Sequence, residues 1–177
     1  MPSTDAIDYQ LYNLGLFVVR VGFGLIFAAH GAQKLFGWFG GYGIAGTGGW
    51  LEGVGFRPGR MFATALALSE FTGGLLLALG FLGPVGPALI VAVMTVAIVT
   101  VHMRNGFFVG KNGIEHPLMF FVAAIAIALI GPGRYSLDYQ LGWQRWETPG
   151  ITWIVLAIGV IVGLVNLAVR RPPPKTV

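Results

Sequence analysis

Five apolar stretches separated by polar, aromatic and glycine-rich links make up the chain. They run over about residues 11–30, 61–82, 85–103, 117–131 and 151–169. A transmembrane helix takes about 20 residues at 1.5 Å each, and four of the five approach that length. The stretch 117–131 is shorter. Pro117 suits its first turn, where the missing N–H is an orphan in any helix, and Gly131-Pro132-Gly133 stops it. Reading all five as spans predicts an all-α polytopic membrane helix bundle.

The links differ in character. Residues 31–60 form a long glycine-rich link with Trp38, Phe39, Tyr42, Trp50 and Phe56. Within it, 47–54 is expected to form a short interfacial helix anchored by Trp50. Gly83-Pro84 is a tight turn, so the second and third spans are antiparallel neighbours. The link 132–150 carries Tyr135, Tyr139, Trp143 and Trp146, an aromatic belt for one membrane face.

Composition supports the membrane reading. Of 177 residues 55% are hydrophobic and 10% charged, against about 25% charged in soluble domains. The net charge of +4 lies at the ends of apolar runs rather than on one face, which argues against a nucleic-acid partner. The face holding 31–60, 104–116 and the C-terminus carries Lys34, Arg57, Arg60, Arg104, Lys111, Arg170, Arg171 and Lys175. The other face carries Arg134 and Arg145. That asymmetry predicts a multi-pass membrane protein with its N-terminus outside and its C-terminus cytoplasmic. The N-terminus lacks a basic n-region, so the first run is expected to stay in the mature protein. There is no cysteine, hence no thiol chemistry, iron–sulfur ligation or covalently attached haem.

Polar groups inside apolar runs single out candidate functional residues, because an unpaired charge in hydrocarbon costs about 2.5 kcal/mol or more. At about 100° per residue, Arg20, Phe27, His30 and Lys34 share about a quarter of one helix circumference. Arg20 lies near the middle of the first run and Glu70 near the middle of the second, which predicts an Arg20–Glu70 ion pair. Ala63, Ala67 and Gly74 flank Glu70 as a small-residue stripe for close helix approach. The histidines His30, His102 and His116 end the first run, end the third and open the fourth, all expected at one interface with Gln33, Lys34 and Glu115. A histidine cluster can pass protons; a metal held with Glu115, or a haem between His30 and His102, are weaker readings left open. No metal-ligand spacing occurs within one helix, and no metal site is assigned.

The run His30-Gly-Ala-Gln33-Lys34-Leu-Phe-Gly, Glu70-x-x-Gly73-Gly74, Asn112-Gly113-x-Glu115-x-Pro117-Leu118 and Gly131-Pro-Gly-Arg-Tyr-Ser-Leu-Asp138 together resemble the DoxX family of small bacterial integral membrane proteins. The resemblance covers about 14–138. It implies a four-helix core over 11–138, preceded by a tail over 1–10. It leaves 139–169 as an interfacial link and a fifth C-terminal transmembrane helix, and 170–177 as a basic disordered tail. It also implies a membrane subunit of an oxidoreductase system acting near quinone, of the thiosulfate:quinone oxidoreductase kind or in thiol and oxidative-stress defence. On that reading His30, Glu70 and Glu115 are the catalytic candidates, and Arg20, Gln33, Lys34, His102 and His116 bind substrate. Quinone is the candidate cofactor and a soluble redox enzyme the candidate partner, with homo-oligomerisation open. The alternative is a non-enzymatic scaffold or transport-like module whose polar groups hold helices together and whose loops dock a soluble protein.

Overall fold

Glycine and proline set where the apolar runs begin and end. The computed structural model describes residues 4–171, and among these no strand occurs. The helices are α1 (Thr4–Phe36), α2 (Gly43–Gly53), α3 (Gly59–Leu79), α4 (Val85–Ala97), α5 (Glu115–Ile130), the short α6 (Leu137–Gln140) and α7 (Pro149–Ala168). The protein is an all-α polytopic bundle. α1 begins inside the stretch expected as a tail and continues past its apolar run to Phe36. α2 begins four residues earlier than expected, at Gly43. The expected basic tail falls mostly on 172–177, outside the described residues, as do residues 1–3.

Local chemistry accounts for the boundaries. Thr148 caps α7, its hydroxyl accepting from Ile151 N, with Pro149 in the first turn. Ser136 caps α6 the same way. α3 ends on left-handed Gly80, whose N–H and that of Phe81 close onto Leu77 and Leu76 carbonyls. α4 runs on through a π-helical turn, Ile98–His102, a departure often found at functional sites.

Among the described residues four helices are long and apolar enough to cross a membrane: Ile7–Phe36, Gly59–Leu79, Val85–Asn105 and Pro149–Ala168. α5, at 16 residues, is shorter, about 24 Å at 1.5 Å per residue. It nevertheless links the two ends of the bundle. Its start, at His116, lies against His30, and the segment after its end reaches Arg20 through the Tyr135 carbonyl. The C-terminal end of α7 returns to the first link, where Arg170 Nε donates to Val54 O at 2.6 Å and Arg171 N to Gly55 O at 2.8 Å. The long links and the end of α7 therefore share one end of the molecule, and 80–84 and 131–147 share the other.

The pairing of α1 with α3 fixes the rest. A Cβ on Gly24 would meet the backbone of Gly74 and Ala78, and one on Gly74 the backbone of Gly24 and Ala28. Both notches bring the helix axes close, as small residues do in bilayers. Ala63 and Ala67 are fully buried on the same helix. Gly73, beside Gly74, faces α4 at Leu89 and Gly86 instead. Between α1, α3, α4, α5 and α7 sits an apolar core of Leu16, Phe27, Leu77, Ile90, Val91, Met94, Phe120, Ile127 and Leu156. α7 lies along α4, with Gly159 on Ala88 and Gly163 on Thr95.

Candidate functional site

A cavity of about 400 Å³ opens between α1, α3, α4 and α5 at the end that carries the long links. His30, Lys34, Glu70, His102 and His116 line it together with Asn112, Trp50, Phe27, Met94 and Phe120. Five residues separated by up to 86 positions of chain thus meet in one hollow with polar groups at one end and apolar walls.

Its charged element is an ion pair. Lys34 Nζ donates to Glu70 Oε2 at 2.5 Å and to the His30 carbonyl at 3.3 Å. Glu70 is 6% exposed and Lys34 23%. An ammonium carries three donors, so one N–H of Lys34 remains for a ligand. The rings of His30 and His116 lie 6.0 Å apart edge to face, and both pack edge-on against Phe120. His102, on the π-helical turn, bonds Asn112 O through Nδ1 at 2.8 Å. A carbonyl only accepts, so Nδ1 carries the hydrogen and Nε2 of the neutral ring is left as an acceptor.

Three predicted site residues lie elsewhere. Arg20 does not meet Glu70. Its guanidinium donates to the carbonyls of Leu77 (3.2 Å), Ala78 (2.8 Å) and Tyr135, at the opposite end of the bundle. The reason is register: the Gly24 and Gly74 notches set Arg20 level with the end of α3 and Lys34 level with Glu70. Glu115 does not line the cavity; its Oε2 accepts from Val109 N at 2.8 Å and closes the 106–115 loop. Gln33 donates to Phe39 O at 3.3 Å and faces a neighbouring surface hollow of about 510 Å³. Lys34 and Trp50 line both that hollow and the main cavity. Among the described residues no three His, Asp or Glu side chains are grouped to hold a metal ion.

The Arg20 end contains groups the sequence reading passed over. Asp138, 1% exposed, accepts from the N–H groups of Leu82 (3.1 Å) and Gly83 (2.6 Å). Glu147 packs on Gly83 and, with Arg20, lines a cavity of about 10 Å³. Burial, then the neighbouring Asp138 carboxylate, pushes the Glu147 pKa up to about 7. Gly80 is left-handed (φ 61°), and a Cβ there would strike the Arg20 guanidinium and Ser136. The signal for this end was present in the sequence as Gly-Pro-Gly-Arg-Tyr-Ser-Leu-Asp. Its backbone, not a functional side chain, is what receives Arg20.

The DoxX family model matches residues 15–103, half of the chain, which holds His30, Gln33, Lys34, Glu70 and His102. The chain belongs to the DoxX family. Comparison with curated proteins and with solved structures gives no match. In this DoxX protein the matched segment contributes α1 from residue 15 on, α2 to α4 and the π-helical turn. His116, α5 and α7 lie beyond it and complete the cavity and the bundle.

Proposed function

We propose that this protein is a membrane subunit of an oxidoreductase system and that its main cavity receives a quinone headgroup. The observation that carries the reading is the cavity's composition: an apolar, aromatic-walled hollow with an ammonium, a carboxylate and three imidazoles at one end. Its volume lies within the range of about 300–1,000 Å³ usual for small-molecule sites. A quinone is a flat apolar ring with two carbonyl acceptors, and this lining offers a match to both features.

When bound, a quinone takes up electrons and protons in equal number. Lys34 has a donor to spare and would hold a carbonyl oxygen of the ring. His30 and Glu70 are the proton-exchanging groups, with His116 and His102 beside them. The surface hollow that shares Lys34 and Trp50 with the cavity lies beside these groups, and on this reading it is the side from which water reaches them. On this reading electrons enter from a soluble redox partner docked on the long links; with no cysteine, the chain itself brings no thiolate-ligated centre. Arg20 and Glu115 have structural roles on this reading. The lysine- and arginine-rich end faces the cytoplasm of a bacterial inner membrane, by the positive-inside rule.

Protein purified in detergent is expected to bind a benzoquinone analogue, and His30→Ala to weaken that binding at least fivefold with the thermal transition retained. Equal affinity of wild type and variant removes the assignment.

A further inference from the structure

A second, smaller cavity of about 100 Å³ adjoins the first. The two share five wall residues: Leu51, Phe56, Leu66, Val93 and Val96. From that common wall the second cavity passes between α3 and α4 and reaches Ala65, Val162 and Asn166, at the seam of α3 with α7. Ala65 and Val162 are exposed on the outer surface of the bundle, at a level where hydropathy places hydrocarbon. Its lining is mostly apolar; the polar members are Ser69 and Asn166, and the Asn166 amide already donates to Val162 O at 2.9 Å. Such a passage offers little to a polar ligand and fits a flexible hydrocarbon chain.

We infer that the ligand of the main cavity is a tailed amphiphile. Its isoprenoid or alkyl chain passes over Leu66, Val93 and Val96, occupies this second cavity and leaves into the bilayer between α3 and α7. The inference rests on the quinone reading of the polar cavity and adds to it the ligand class, the direction of the chain and the residues that select it. Adjacency favours this occupant over an ordinary membrane lipid: the two cavities lie on either side of the same five side chains, so the chain of a molecule whose head fills the polar hollow reaches the second cavity where those side chains turn aside. α7, outside the segment matched by the family model, then has a role in ligand selection.

The test uses the full chain in detergent and two probes with one headgroup, a dimethoxy-methyl-benzoquinone without a tail and its decyl-tailed counterpart. Ala65→Phe and Val162→Phe place rings in the passage from exposed positions that the headgroup does not reach. Each is expected to leave affinity for the tailless probe within twofold and to cut the advantage of the decyl probe at least fivefold. Micelle partitioning is common to all three proteins and cancels in that ratio. An unchanged decyl advantage, or equal losses for both probes, overturns the chain route while leaving the headgroup site standing. Absence of binding by either probe to wild type overturns both. A decyl probe with a diazirine at its chain end gives a second readout on wild type alone. Labelling of α3 and α7 around Ala65 and Val162, suppressed by excess tailless probe, supports the route. Labelling that excess tailless probe does not suppress identifies an independent lipid chain and overturns it.

Discussion

Lys34 and Glu70 are unequal partners. Glu70 is almost fully buried, whereas Lys34 keeps a quarter of its side chain exposed and a long flexible stem. Removing the lysine strands a carboxylate in a low-dielectric interior; removing the carboxylate leaves an ammonium that can turn toward the surface hollow. Lys34→Met is therefore expected to destabilise by about 3 kcal/mol, Glu70→Met by clearly less, and the double variant by less than Lys34→Met alone. Thermal melts of the three variants in one detergent check the ordering. A double variant worse than either single one shows that the pair does not act as a unit. Arg20 behaves differently, because its partners are backbone carbonyls rather than a carboxylate in the core.

At the level of elements, the docking of α7 depends on what happens just before it begins. Glu147 sits two residues before Pro149, between the α3–α4 turn and Asp138, and its pKa is raised to about 7. A carboxyl whose folded pKa exceeds its unfolded value favours the fold while protonated. Stability from this group is complete below about pH 4.5 and is lost as pH rises to about 7. Glu147→Gln removes the cost of ionisation, so wild type and variant should melt together at the acid end of that window. Above it the variant should be the more stable, by about 1 kcal/mol once solvent screening is allowed for. Melting curves across the window test this; a constant difference at every pH refutes it. The helices themselves were legible from hydropathy, because a bilayer demands long apolar runs. The meeting of His30, His102 and His116 was legible too, since run ends on alternating faces fix which ends coincide. The Arg20–Glu70 pairing was misread because α1 extends past its apolar run, so counting from run ends misplaced the register. Glu115 was misread because a carboxylate near a loop has backbone N–H groups within reach.

For the whole molecule, the returning contact of Arg170 with Val54 requires α5 to run from one end of the bundle to the other despite its length. The absence of cysteine makes sidedness directly measurable. Asn112→Cys should be shielded from a membrane-impermeant maleimide in spheroplasts, and Gln144→Cys should be labelled. Reversed labelling inverts the orientation, and labelling of both from one side contradicts the crossing of α5. What the sequence alone determined is the class: an apolar chain with few charges must place its backbone in helices where no water can satisfy it, and the positions of its ionisable groups along those helices follow. What only the tertiary structure decided is which groups meet. Helix register is set by where backbones can approach, at Gly24 and Gly74, and that closeness depends on two surfaces at once. So it fell to packing to give Glu70 to Lys34, to give Arg20 to the carbonyls of α3 and Tyr135, and to open one hollow around three histidines.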